Sequence, residues 1–201
     1  MSNDLWIMLI GSLASAACAL VGCFLVLRKQ AMMGDAISHS VLPGIVIAFL
    51  ITQSPMLLGA GALGLFTAFA TNALERHGRL QPDASIGVTF TWLFAVGVIL
   101  ISAFAGHVDL DTECVLYGEI ASSPYDIWLI GDNSMGPRAV WILGAIAIAN
   151  LVFVTLGYKQ LKLTSFDPEM AAALGINVTL WHYLLMGFVS FTTVGAFESV
   201  G

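Results

Sequence analysis

The sequence predicts an all-α integral membrane protein, a polytopic helical bundle of about six spans with the N-terminus outside the cell. The composition, the length of the apolar segments and the placement of the basic residues all indicate this class. Of the 201 residues, 58% are hydrophobic and 10% are charged, whereas about 25% of a soluble domain is charged. The sequence has no basic patch of the kind that binds nucleic acid, so we expect contacts with lipid and with other proteins.

Six apolar segments are long enough to span a bilayer, which takes about 20 residues for roughly 30 Å of hydrocarbon. They are 5–27, 34–52, 56–74, 84–104, 139–157 and 179–199. Helices are expected because a segment in lipid must satisfy its backbone hydrogen bonds internally. The N-terminal MSNDLW lacks the positive charge of a cleavable signal, so the first segment is interpreted as a retained span.

The lysine and arginine residues set the predicted orientation, because they are enriched in cytoplasmic loops. Six of the seven lie in three loops that alternate correctly along the predicted spans: Arg28, Lys29, Arg76, Arg79, Lys159 and Lys162. Only Arg138 falls on the opposite side. This distribution places the N-terminus outside and the three basic loops in the cytoplasm.

An acidic segment, residues 105–138, is predicted on the outer side. It carries six carboxylates: Asp109, Asp111, Glu113, Glu119, Asp126 and Asp132. These charges either solvate an exposed loop or create a negative field that favours cations or a basic partner surface. Within the segment, VLYGEIA and YDIWLI are too short to span a membrane, and we expect them to form interfacial or partly re-entrant helices.

The stretch GDAISHSVLPG, residues 34–44, places Asp35 and His39 on one face of a helix, because residues four apart lie one above the other. A carboxylate and an imidazole together suit manganese, iron or zinc. Pro43 has no N–H, so we expect a bend and a free carbonyl at His39. Alternatively, Asp35 simply stabilises the positive start of the helix and His39 is a polar residue near the interface.

The cytoplasmic segment 159–178 contains a second feature, a short helix predicted over PEMAAAL. Asp167 is a good N-cap, Pro168 and Glu169 suit the first turn, and Gly175 suits the end. Such a helix either packs into a groove on another protein or is an ordinary connector. Glu198, near the outer end of the last span, either faces a polar cavity or marks the return to water. The sequence contains no P-loop, so ATP binding through this motif is not expected.

Five segments, in order, resemble the permease subunits of the metal-importing ABC transporters, a family that imports manganese, zinc or iron. They are RKQAMMGDAISHSVLPGIVIAFL, DASIGVTFTWLFAVGVILIS, VDLDTECVLYGEI, SFDPEMAAALGI and TTVGAFESVG. The resemblance runs from about residue 10 to the end of the sequence and is greatest to the manganese and zinc branch. It implies a single permease domain over residues 1–201 in a bacterial cell membrane, a transport subunit rather than an enzyme.

The resemblance also implies partners and roles. Expected partners are a cytoplasmic ABC ATPase dimer, a second permease, identical or paralogous, and an extracellular metal-binding protein. Asp35 and His39 match residues implicated as metal ligands, no permanent cofactor is expected, and manganese is favoured as the transported ion. The residues that match the helix contacting the ATPase are Asp167, Pro168, Glu169, Ala172 and Gly175. Glu198 matches an acidic residue and is a possible pathway residue.

Family members usually continue for two or more further spans, so the sequence is interpreted as the N-terminal portion of a longer permease. Two other functions stay open. A proton-coupled secondary carrier would use Asp35, His39 and Glu198 as a relay, and it would be expected to show internal repeats with interrupted helices. A purely structural membrane subunit would tolerate loss of the Asp35 and His39 side chains.

Overall fold

Seven helices and one β-hairpin are delimited in the part of the chain that the structure describes. The computed structural model describes residues 3–40, 43–44, 46–47, 56–78, 80–104, 120, 127–130 and 133–200. The elements are α1 (Asn3–Leu27), α2 (Met33–Ser40), α3 (Met56–Gly78), α4 (Pro82–Phe104), β1 (Ile127–Ile130), β2 (Asn133–Pro137), α5 (Arg138–Phe166), α6 (Pro168–Ala173) and α7 (Val178–Val200). The predicted all-α polytopic class is confirmed, with the hairpin as a small addition.

Four helices among the described residues are long and apolar enough to cross a membrane. They correspond to the first, fourth, fifth and sixth predicted spans: Asn3–Leu27, Pro82–Leu100, Arg138–Phe166 and Val178–Phe197. The third predicted span, 56–74, lies in α3, which has 23 residues but is not among the four. The second, 34–52, begins in α2 and includes residues outside the described ranges.

Helix α7 is central to the bundle, because it contacts α1, α2, α3, α5 and α6. The larger hydrophobic core forms where these helices meet α7. It includes Val21 and Phe24 of α1, Ile37 of α2, Leu161 of α5 and Met186 of α7, all of them buried. Helix α7, the last described helix, therefore holds together helices from the beginning of the chain.

Helices α3 and α7 approach closely at two glycines of α3. A Cβ atom at Gly64 would overlap the Ser190 hydroxyl and would lie 3.2 Å from Cγ2 of Ile37. At Gly61 a Cβ would lie 2.7 Å from the Phe191 ring, and the Ser190 hydroxyl donates a hydrogen bond of 3.2 Å to the Gly61 carbonyl. Small residues allow this approach, as is common between helices in membranes.

A buried amide connects three helices. The Nδ2 group of Asn150, on α5, donates hydrogen bonds to the Ala17 carbonyl of α1 at 3.1 Å and to Oγ1 of Thr192 on α7 at 2.8 Å. The Thr192 hydroxyl donates in turn to the Phe188 carbonyl at 2.6 Å. Asn150 and Thr192 are both buried, so these bonds satisfy polar groups that water does not reach and fix how the three helices pack.

The expected helix over YDIWLI is wrong for residues 127–130, which form strand β1. β1 pairs antiparallel with β2, and Ile130 faces Asn133 across a two-residue connection. A run of β-branched and aromatic residues followed by Gly-Asp favours a hairpin over a short helix. The six acidic residues of the outer segment lie outside the described ranges, as does VLYGEIA except Ile120, which packs in the smaller core cluster.

The fifth helix is longer than predicted. We expected it to end at residue 157 and a loop to begin at residue 159, but α5 continues to Phe166. Its 29 residues give a length of about 44 Å, which exceeds the hydrocarbon thickness. Leu161 and Thr164 of this extension are buried against the bundle, and this burial keeps the segment helical where its polarity predicted a loop.

We expect Gly64→Ala to destabilise the protein by about 1–3 kcal/mol, because its new Cβ must push α3 and α7 apart. Gly144→Ala on α5 is the matched control, since nothing lies within 4 Å of its Cβ position and alanine favours a helix. The measurement is thermal unfolding of the purified protein in detergent. Equal melting temperatures for the two variants would contradict the close approach.

Candidate metal site and exposed short helix

A tight turn connects α1 to α2 and determines where α2 begins. Lys29 has a positive φ of 57°, and its N–H donates to the Val26 carbonyl at 3.0 Å while Gln30 N–H donates to the Leu25 carbonyl at 2.9 Å. This pair of bonds is the Schellman arrangement that ends helices. Five residues separate the end of α1 from Met33, where α2 begins.

Helix α2 has a buried face and an exposed face. Its buried residues are Met33, Ala36, Ile37 and Ser40. Ser40 Oγ lies 2.7 Å from Oγ1 of Thr67 on α3, so a buried hydroxyl pair reinforces the apolar packing. The opposite face carries Asp35 and His39, which are exposed. The core therefore fixes α2 while leaving these two polar side chains accessible.

Asp35 and His39 lie together, as their spacing predicted. His39 Nε2 is 3.7 Å from Asp35 Oδ1, and the side chains are 47% and 63% exposed, respectively. Two ligand atoms that bind the same ion at about 2.1 Å lie roughly 3.0–3.4 Å from each other, at octahedral to tetrahedral angles. A movement of about 0.3 Å would bring both atoms onto one ion. Their role as metal ligands stays a prediction.

The described part of the chain holds no cluster of three or more His, Cys, Asp or Glu side chains that could bind a metal. The pair therefore offers two of the ligands that an ion needs. Asp35 is also the third residue of α2, where a negative charge stabilises the helix start. Both interpretations of this carboxylate made from the sequence are compatible with its position.

Two phenylalanines of α4 flank the His39 ring. The ring centroids of Phe90 and Phe94 each lie 6.1 Å from that of His39, the first tilted and the second edge-on. These contacts limit how the imidazole turns and keep it near Asp35. Neither phenylalanine was recognisable as a site residue from the sequence. Their spacing of four was visible, but the packing of α4 against α2 was not.

Helix α6 has the ends that the sequence predicted. The Asp167 carboxylate accepts a hydrogen bond from the Met170 N–H at 2.9 Å, and Pro168 is the first helical residue. At the other end Gly175 has a φ of +80°, and Ile176 N–H donates to the Ala171 carbonyl at 3.0 Å. The predicted N-cap and the predicted glycine stop are confirmed.

Large apolar side chains in α6 and at its two ends face outward. Ala171 is buried against the bundle, whereas Phe166, Met170 and Leu174 are 67%, 54% and 62% exposed, respectively. Glu169, Ala172 and Gly175 are exposed too. The cap at Asp167 and the left-handed Gly175 fix the ends of a short segment that presents large apolar side chains outside the core.

Two further predictions fall wholly or partly outside the described residues. Glu198 lies in α7, but its side chain is not described, so its role stays a prediction. Pro43 is helical and buried, while residues 41–42 lie outside the described ranges. The predicted bend and the free carbonyl at His39 accordingly remain predictions.

The sequence model of the ABC 3 transport family matches residues 3–201 of this chain. The chain belongs to the ABC 3 transport family. Because the match covers nearly the whole sequence, it includes α2 with Asp35 and His39 as well as α6. The resemblance to permease subunits of metal-importing ABC transporters is thereby confirmed, and three relatives and one solved structure agree with it.

The manganese transport system membrane protein MntD of Bacillus subtilis (strain 168) is 50% identical, with 100% of this chain and 69% of that protein aligned. The zinc transport system membrane protein TroD of Treponema pallidum (strain Nichols) is 41% identical, over 97% of this chain and 54% of that protein. The chelated iron transport system membrane protein YfeD of Yersinia pestis is 35% identical, over 92% of this chain and 57% of that protein.

A solved structure of PsaBC from Streptococcus pneumoniae in complex with Fab has a TM-score of 0.76 and 30% identity to this ABC 3 chain. It covers 100% of this chain, which in turn covers 67% of the solved chain. This ABC 3 chain therefore spans roughly half to two thirds of the length of the relatives that it matches.

We expect Asp35→Ala and His39→Ala to leave the melting temperature of this ABC 3 chain almost unchanged, since exposed substitutions usually change stability by about 0.5 kcal/mol or less. Ile37→Ala, on the buried face of the same helix, is expected to cost about 2–5 kcal/mol. Thermal unfolding in detergent compares the three variants. A loss of more than about 1 kcal/mol in Asp35→Ala would show that stabilising the helix is its main role.

Proposed function

We propose that this chain is the membrane-spanning permease subunit of an ATP-driven importer of divalent metal ions. The observation that carries this proposal is the exposed Asp35–His39 pair. It lies on a helix whose other face is fixed in the core, in a chain of the ABC 3 transport family. Ionisable side chains in a membrane protein are costly and commonly mark the path of an ion.

Manganese is the favoured ion, with zinc and iron as the alternatives. The ligand types suit all three metals, so the preference rests on similarity. The Bacillus subtilis relative named for manganese transport is 50% identical, against 41% for the Treponema relative named for zinc and 35% for the Yersinia relative named for chelated iron. The metal is cargo that the pair holds transiently, because a transport site must bind weakly enough to release its ion.

In this proposal the partners are a cytoplasmic ABC ATPase dimer, a second permease and an extracellular metal-binding protein, in a bacterial inner membrane with the N-terminus outside. ATP hydrolysis takes place on the ATPase and not on this chain. Helix α6 supplies the contact with the ATPase, since Met170 and Leu174 present an apolar surface of the kind that fits a groove. ATP binding closes the ATPases, α6 transmits the motion, and the permease pair opens outward to receive the ion.

The first test is uptake of radioactive manganese by cells that produce this permease with its transporter partners, with zinc and iron as competitors. We expect Asp35→Ala and His39→Ala to reduce uptake by about tenfold or more, because each removes a direct ligand. Even the loss of a group that only hydrogen-bonds to a ligand commonly lowers metal affinity or activity by about that factor. Ser38→Ala, on the same helix between them, is the control and should transport normally.

Depleting ATP should abolish the uptake, whereas dissipating the proton gradient at constant ATP should leave it. The reverse pattern would favour a proton-coupled carrier and overturn the proposal. Normal uptake in both the Asp35 and His39 variants, at matched amounts of protein in the membrane, would remove these residues from the metal path.

A second test concerns the ATPase contact. We expect Met170→Asp to prevent the ATPase from co-purifying with the permease in detergent, because it places a charge in an apolar contact. Lys159→Gln changes the net charge by the same amount at an exposed position of α5 and should retain the ATPase. Equal ATPase recovery with both variants would argue against α6 as the docking element.

A further inference from the structure

Arg28, the residue after the end of α1, bonds to the last turn of α5. Its Nη2 donates to Thr164 Oγ1 at 2.9 Å and its Nε donates to Ser165 Oγ at 3.1 Å. Nη1 lies 3.4 Å from Nδ1 of His182, near the start of α7. One guanidinium thus joins three helices at one end of the bundle.

The two hydroxyls that accept from Arg28 lie next to the exposed helix α6 in the chain. Helix α5 ends at Phe166, Asp167 caps α6, and exposed apolar side chains lie in α6 and at its two ends. Since α5 is helical through Phe166, a displacement of α6 moves the Thr164 and Ser165 hydroxyls with it. The hydrogen bonds pass that movement to Arg28.

Arg28 also immediately precedes the turn that leads to α2, the helix that carries the candidate metal site. The Lys29 and Gln30 N–H groups close the turn that follows α1, and Asp35 is seven residues beyond Arg28. The turn is short and hydrogen-bonded, so a movement of the end of α1 is carried into α2. Short chain segments and hydrogen bonds therefore link α6 through α5 and Arg28 to α2, which carries Asp35 and His39.

The chemistry of Arg28 suits a rigid connection. A guanidinium holds its N–H groups in one plane, so bonds to two hydroxyls fix its orientation as well as its position. Burial lowers the pKa of the Arg28 guanidinium from its ordinary value, but arginine keeps its charge at any physiological pH. A lysine could reach one hydroxyl but could not span both in the same plane.

We propose that Arg28 is a positioning residue that couples the movement of α6 to the Asp35–His39 pair. The inference rests on the proposed function, because it assigns to Arg28 the transmission of ATPase movement to the metal path. Loss of Arg28 then leaves the ATPase docked and active and leaves the metal pair intact, but it separates ATP hydrolysis from metal movement.

The test measures manganese transported per ATP hydrolysed by the complete transporter in proteoliposomes. We expect Arg28→Gln to lower this ratio by about fivefold or more, while ATPase activity persists. Arg28→Lys should give an intermediate ratio. Lys29→Gln is the matched control, because it removes the same charge from the next residue, whose side chain is exposed, and should transport with the parental ratio.

A second variant tests the same contact from the other side. Thr164→Val combined with Ser165→Ala removes both hydroxyl acceptors with little change of shape, and its ratio should fall as in Arg28→Gln. Adding Arg28→Gln to it should cause little further loss, because the contact between Arg28 and α5 is already broken. If Arg28→Gln does not fold, the acceptor variant alone decides the question.

The outcomes separate the two proposals. A parental transporter without ATP-driven manganese uptake would overturn the proposed function itself. Parental uptake together with variants in which transport and ATPase activity fall in equal proportion would leave the proposed function standing. The same result would overturn the role proposed for Arg28, since a loss of structure lowers manganese transport and ATP hydrolysis alike.

Discussion

The close approach of α3 and α7 at Gly64 is the constraint on which the position of the candidate metal pair depends. Ile37 of α2 lies over this crossing, next to the place that a Cβ at residue 64 would occupy. Because Ile37 is completely buried there, the buried face of α2 is fixed and its other face turns outward with Asp35 and His39. Because Gly64 has no side chain, Ile37 of α2 can pack at this crossing. This packing in turn positions the Asp35 carboxylate and the His39 imidazole.

Apolar burial does not by itself choose one arrangement of helices in lipid, since the surrounding chains are as apolar as leucine. Close packing and a few buried hydrogen bonds make the choice. The Asn150 amide holds α1, α5 and α7 together inside the bundle. The Arg28 guanidinium joins the same three helices at the end of the bundle where α1 ends and α7 begins. With two points of attachment along their length, these helices resist both separation and rotation.

In our proposal, the Arg28 contacts connect two exposed features of the described residues. One is the Asp35–His39 pair, held near the Phe90 and Phe94 rings. The other is α6, whose capped ends and apolar outer side chains suit docking to a partner. Helix α5 extends beyond the length needed to cross a bilayer and carries α6 at its end. If the proposed function holds, a push on α6 reaches the surroundings of the ion through this connection.

Sequence alone determined the helical membrane class, most helix positions, the meeting of Asp35 with His39 and the ends of α6, because periodicity, apolar length and capping are local properties. It failed for residues 127–130, where pairing with β2 produces a strand, and for the end of α5, where burial of Leu161 overrode local polarity. It gave no indication that Phe90 and Phe94 flank His39 or that Arg28 bonds to Thr164 and Ser165. Those contacts join residues far apart in the chain, and only helix packing decides which distant side chains meet.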